Sequence, residues 1–169
     1  MNLLMAATPI AMQLCQHPFE SIAVVLEWHV VGMYLPGFFT GHLIQRFGSL
    51  PVMAAGALLN LACVAVALSG VDLVQFLAAL MVLGVGWNFL FVGGTTLLTE
   101  AYRPEEKNKV QGANDFLIFL TMALSSFSSG ALVTTRGWEL LNYGSLPFIV
   151  IAACAILWLG ARRRQPAAV

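Results

Sequence analysis

The sequence predicts an all-α, polytopic membrane bundle, and three observations predict it. Long apolar runs dominate the chain, almost every charged residue falls in a short gap between them, and the basic residues fall in alternate gaps. The 169 residues are 59% hydrophobic and 9% charged, where a soluble domain carries about a quarter charged residues. Five runs, 21–44, 52–69, 73–99, 112–134 and 138–160, approach or exceed the roughly 20 apolar residues that a helix needs to cross a hydrocarbon core of about 30 Å. Lipid offers the backbone no hydrogen-bond partners, so each run is expected to be a helix. The chain reads as one transmembrane domain with a basic tail, 161–169.

The first element, 2–14, is apolar but too short to span. It lacks the basic start and small-residue cleavage site of a signal peptide and the charged face of an interfacial helix. It reads as the outer end of a helix whose first part is missing, which makes the chain the tail of a longer protein.

The second element, 21–44, carries Glu27, Trp28 and His29, with Tyr34 seven residues after Glu27 on the same helical face. Ionisable groups inside a membrane are costly and mark pathways. Glu27 therefore reads either as a proton- or substrate-binding carboxylate with His29 as a proton partner, or as a shallow interfacial residue beside an aromatic-belt Trp28. Pro36 permits a bend. Gly37 and Gly41, four apart, offer a strip for a close helix neighbour or a hinge, and packing is the favoured reading.

The third element, 52–69, shows only Asn60 as an isolated polar residue. The fourth, 73–99, holds Gly84, Gly86, Gly93 and Gly94, and it places Asn88 and Thr95 on one face. An amide at mid-depth is expected to face protein or a water-filled cavity, either as interhelical glue or as a substrate contact. The fifth, 112–134, is the most polar: Asn114, Thr121, Ser125 and Ser128 recur at helical spacing, with Asp115, Ser126 and Ser129 on an adjacent side. Hydroxyls can bond back to their own helix, but an extended stripe of this kind resembles a cavity wall. The sixth, 138–160, carries only Asn142. The second, fourth and fifth elements thus line something, and the third and sixth face lipid.

Lysine and arginine set the orientation. Seven of the eight, namely Arg46, Arg103, Lys107, Lys109, Arg162, Arg163 and Arg164, fall on one side of the predicted topology, and Arg136 falls on the other. The seven mark the cytoplasmic side and put the C-terminus inside. Near that side Gly48 suits a helix C-terminus and Arg46 sits favourably on the helix dipole. Glu100 and Asp115 are candidate partners for Arg46. Net charge is zero, which points away from nucleic acid. Cys15, Cys63 and Cys154 form no CxxC or Cys/His cluster, and Cys63 and Cys154 read as small hydrophobes. No cofactor or metal is expected. A soluble enzyme is excluded, and intramembrane hydrolase signatures are absent.

Gly41-x-Leu43-x-x-Arg46-x-Gly48 between two spans resembles the cytoplasmic signature of the major facilitator superfamily, G-x-x-x-D-R-x-G-R-[KR]. Gln45 replaces the acidic residue and Ser49 and Leu50 the basic pair, departures that fit the degraded second copy between helices eight and nine. The stretch from Gly86 to Lys107, with Asn114-Asp115 beyond, is similar to bacterial permeases of that superfamily. The resemblance covers nearly the whole chain. It implies the end of helix seven followed by helices eight to twelve, with seven, eight, ten and eleven around a central cavity and nine and twelve against lipid.

The expectation is therefore the C-terminal six-helix half of a secondary transporter in a bacterial inner membrane, working by alternating access on a small solute, with proton coupling as an option. It requires the lipid bilayer and a missing N-terminal half or a second copy. Glu27, His29, Tyr34, Asn88, Thr95, Thr121 and Ser125 are the cavity candidates; Gly41, Arg46, Gly48, Glu100 and Asp115 are the inner-gate candidates. The alternative is a small membrane scaffold that transports nothing.

Overall fold

The computed structural model of the protein describes residues 1–164, so the last five residues of the basic tail lie outside the described residues. Among the described residues there are six α-helices and one 3-10 turn: α1 (Asn2–Leu14), α2 (Phe19–Tyr34), α3 (Gly37–Phe47), α4 (Ser49–Leu68), α5 (Leu73–Thr99), η1 (Pro104–Glu106) and α6 (Lys107–Arg164). No strand occurs among them. Four helical stretches are long and apolar enough to cross a membrane: Phe19–Phe47, Ser49–Leu68, Leu73–Thr99 and Pro104–Arg163.

Local chemistry explains where the helices begin and end. Pro18 precedes α2 in extended conformation and Glu20 sits in its first turn, where a negative charge meets the positive end of the helix dipole. The 21–44 run is not one helix. Pro36 has no N–H for the helical ladder, and α2 ends at Tyr34 before α3 restarts at Gly37. Gly48 adopts φ +87°, a left-handed conformation natural to glycine, so α3 stops and α4 starts at once. α4 therefore begins three residues earlier than the apolar run suggests.

The last two apolar runs belong to α6, whose 58 residues would extend to about 87 Å if straight. Gly137, at φ +80° and ψ 171°, breaks it. The arm before the break (107–136) runs away from the end of α5. The arm after it (138–164) returns there, because Trp138 donates from Nε1 to Ala67 O at the end of α4 while Arg163 meets Glu100 at the end of α5. A single residue thus replaces the expected three-residue link at 135–137.

The links at 15–18, at 69–72 and at Gly137 gather at one end of the bundle. There His17 donates from Nε2 to Val71 O (2.8 Å) and meets the Phe76 ring edge-on at 5.7 Å; Phe76 in turn meets Trp138 at 5.3 Å. The main hydrophobic core lies next to this link end, with Leu4, Ala7, Met12, Val25, Val64, Leu80, Leu83, Val133 and Leu141 all buried. The opposite end carries Arg46, Arg103, Lys107, Lys109, Arg162 and Arg163 and is called here the basic end.

α5 lies between α2 and α4. A Cβ added at Gly84 would meet His29 O at 2.6 Å and the Gly32–Met33 backbone at 2.9 Å; one at Gly86 would meet Gly56 O at 2.9 Å. The glycines of α5 thus let two helices approach backbone to backbone. The strip at Gly37 and Gly41 behaves differently. A Cβ at Gly37 would touch only Asn88 Nδ2 at 3.4 Å, and one at Gly41 would meet nothing within 4 Å. The close approach expected there is instead made by Gly32 and Gly56.

The first arm of α6 packs on α1. Asn2 Nδ2 bonds to Met122 O and Ser126 Oγ, and Ser129 and Val133 are buried. Among the described residues of 107–128, none is buried, so this half of the arm is held mainly by the Asn2 bonds to Met122 and Ser126 and by the Gln111–Tyr102 bond.

Candidate functional site

Asn88 organises the middle of the bundle. It is 4% exposed, and an amide so buried needs partners for both its ends. Its Nδ2 donates to Met33 O (2.7 Å), in the turn that Pro36 opens, and its Oδ1 lies 2.6 Å from the Thr40 hydroxyl on the first turn of α3. The Thr40 hydroxyl also reaches Pro36 O at 2.8 Å. One side chain on α5 therefore holds both sides of the α2–α3 break.

His29 is fully buried against α5. Its Nδ1 lies 2.7 Å from Leu80 O, and a carbonyl only accepts, so Nδ1 carries the proton. Its Nε2 is buried without a partner. Glu27, two residues earlier, is exposed on the opposite face with Trp28 and Tyr34. The structure does not bring Glu27 and His29 together, because a two-residue separation on a helix turns the side chains about 200° apart.

Thr95 is half-buried and bonds its hydroxyl to Phe91 O (2.9 Å) and Val92 O (3.1 Å). Thr121 bonds to Leu117 O (2.7 Å), Ser128 to Leu124 O (2.8 Å), and Ser125 to Thr121 O and to Met122 O (3.3 Å). Each hydroxyl gives its single proton to its own helix and keeps lone pairs to accept another bond. Thr121 and Ser128 are exposed, and Ser125 is partly exposed. The stripe therefore forms an accepting face on the less buried half of the arm.

At the basic end, Arg163 pairs with Glu100 at 3.0 Å. The pair closes one side of a cleft of about 290 Å³ lined by Gly48, Ser49, Thr96, Glu100 and Arg163. Arg46 lies over its neighbour Phe47, 5.3 Å from the ring centroid, and among the described residues it pairs with neither Glu100 nor Asp115. The partner of Glu100 is thus Arg163, from the returning arm of α6. Asp115 accepts a long contact from Asn114 Nδ2 at 3.5 Å. Gly41 is exposed, and Gly48 makes the turn beside the cleft. Cleft and amide brace occupy different levels of the bundle.

Sequence reasoning missed Thr40, Arg163 and an aromatic pair on α5. Trp87 and Phe91, flanking Asn88, stack with ring centroids 4.8 Å apart and planes 19° from parallel. Their four-residue spacing was the available signal. Among the described residues, no three His, Cys, Asp or Glu side chains gather to hold a metal ion.

The sequence model of the family described as Major Facilitator Superfamily matches residues 1–169. The chain is 41% identical over 157 residues to the riboflavin transporter RfnT of Brucella anthropi, an alignment covering 93% of this chain and 39% of that protein. It is 31% identical over 169 residues to the uncharacterized MFS-type transporter YddS of Bacillus subtilis (99% and 39%). It is 33% identical over 134 residues to the 4-hydroxybenzoate transporter PcaK of Pseudomonas aeruginosa (77% and 30%). The chain therefore spans about two fifths of the length of the first two relatives. No solved structure matches the chain.

Proposed function

The chain belongs to the Major Facilitator Superfamily, and from that premise we propose that it is the C-terminal half of a secondary transporter for a small organic solute, with riboflavin as the first substrate to test. One observation carries the reading. In this apolar bundle Glu27 and Tyr34 on α2 and Thr121 and Ser128 on α6 are exposed, although lipid offers an ionisable group such as Glu27 nothing. A solute in a shared cavity does offer these side chains partners. The relatives support the transport class, and the name of the Brucella protein supplies the substrate.

In this reading the second wall of the cavity is another six-segment body, either the remainder of a longer chain or a second copy. Alternating access needs two bodies that rock about a site near the midplane, and this chain aligns with only 39% of its first two relatives. The basic end faces the cytoplasm of a bacterial inner membrane, a reading that the distribution of lysine and arginine supports. Asn88 holds the cavity helices together, while Thr95, Thr121 and Ser125 accept hydrogen bonds from the solute. Glu27 carries the coupled proton. Gly41, Gly48, Arg46, Asp115 and the Glu100–Arg163 pair form the cytoplasmic gate, closed while the pair holds and open when it separates.

The test is growth of a riboflavin-auxotrophic bacterium lacking its own uptake system, expressing the complete protein, on micromolar riboflavin. Growth is the expected result. Absence of growth and of accumulated labelled riboflavin, with the protein present in the membrane, would overturn the substrate. In the same cells Glu27→Gln is expected to abolish dependence of uptake on the pH gradient. Unchanged dependence would return Glu27 to the interface.

A further inference from the structure

Trp87 and Phe91, one turn apart on α5, form the stacked aromatic pair of the bundle's partly exposed surface. Trp87 is half-buried and Phe91 is 39% exposed. Their near-parallel stack, 4.8 Å between centroids, falls in the range that aromatic pairs favour. It fixes Phe91 in one orientation and leaves part of its ring uncovered. Asn88, next to Trp87 in sequence, is bonded to Met33 O and Thr40 Oγ1, so α5 cannot turn against α2 and α3 without breaking both bonds. The rings are therefore mounted on a rotationally locked helix.

Two neighbours complete the arrangement. One turn beyond Phe91, Thr95 has spent its proton on backbone carbonyls and presents lone pairs. At the α3–α5 contact, Gly37 stands against Asn88, and Gly41, one turn further along α3, is exposed. A fixed aromatic surface with a hydrogen-bond acceptor one turn away suits a flat ring carrying donors at its edge.

We propose that Trp87 and Phe91 form the stacking platform for a planar aromatic ring of the transported solute, with Thr95 accepting a hydrogen bond from the edge of that ring. The inference rests on the transporter reading and specifies which part of the solute the protein recognises. Loss of one ring from such a stack is expected to change affinity roughly tenfold, which is about 1.4 kcal/mol.

The experiment uses the complete protein in lipid nanodiscs with riboflavin as the probe, its dissociation constant read by equilibrium dialysis. Phe91→Leu and Trp87→Leu are each expected to weaken binding about tenfold, whereas Phe91→Tyr and Trp87→Phe stay within about threefold of the parent. Thermal unfolding of every variant verifies the fold. In the parent protein, lumichrome, which is the flavin ring without its sugar-alcohol chain, is expected to compete and ribitol is not. Riboflavin binding unchanged by either leucine variant would overturn the platform and leave the transporter reading standing, since the pair would then simply face lipid. Failure of lumichrome to compete would overturn it independently of any variant. If the parent binds neither riboflavin nor lumichrome nor 4-hydroxybenzoate, the platform is overturned, and transport is judged separately from whole-cell uptake.

Discussion

Asn88 shows what a single polar side chain can do in an apolar setting. Asn88→Leu keeps the volume but leaves the Met33 carbonyl without its partner and the Thr40 hydroxyl with Pro36 O alone. The expected loss is about 1–3 kcal/mol, at the lower end because hydrogen bonds between membrane helices average nearer 1 kcal/mol. Detergent unfolding of the purified protein measures it, and a stability matching the parent would show that the brace carries no load. Glu100→Gln should change stability by less than about 1 kcal/mol, since both members of the pair are about half exposed. A larger loss in the same unfolding assay would contradict the exposed, screened geometry. An amide in a run such as 73–99 can be singled out from sequence by its desolvation demand. Its partners cannot, because Met33 and Thr40 lie 55 and 48 residues away and nothing local encodes that separation. The same limit explains Arg46. Its place near a helix C-terminus is legible, but the competition of Arg163 for Glu100 exists only once α6 has folded back.

At the level of elements, glycines with similar sequence surroundings divide by what lies opposite them. Gly84→Ala would drive a methyl group to 2.6 Å from His29 O and 2.9 Å from the Gly32–Met33 backbone, and backbone cannot move aside. An overpacking loss of about 1–3 kcal/mol is expected. Gly41→Ala meets nothing within 4 Å and should be neutral or stabilising, since alanine favours helix by up to about 1 kcal/mol. Measured side by side, equal effects would refute the packing described for α2 and α5. Gly137→Ala forces a Cβ into φ +80° and ψ 171°, a region that is essentially glycine's alone, at a cost of about 1–3 kcal/mol, and the arms of α6 should separate more readily in hydrogen exchange. Helix existence was legible throughout, because apolar length alone dictates it. The break at Pro36 was foreseeable as a bend, but its completeness depends on Asn88 capturing the loosened turn. The aromatic stack escaped notice because aromatic residues at helical spacing are ordinary in an apolar run.

For the molecule as a whole, the proposed topology predicts opposite accessibility of the two ends. With native cysteines removed, a cysteine placed at Lys107 should react with impermeant maleimide only in inverted vesicles, and one at Gly70 only in intact cells. Reversed labelling would invert the orientation drawn from the basic residues. The division of the bundle is equally uneven in cohesion. His17, Phe76 and Trp138 stitch three links together at one end, while none of residues 107–128 is buried. Such a body is a lever. With 27 residues, α5 is about 40 Å long, so a tilt of roughly 5° about the stitched end moves the far tip by about 3.5 Å. A change too small to disturb the aromatic clasp becomes, at the charged tips, as large as the separation of two atoms in a hydrogen bond.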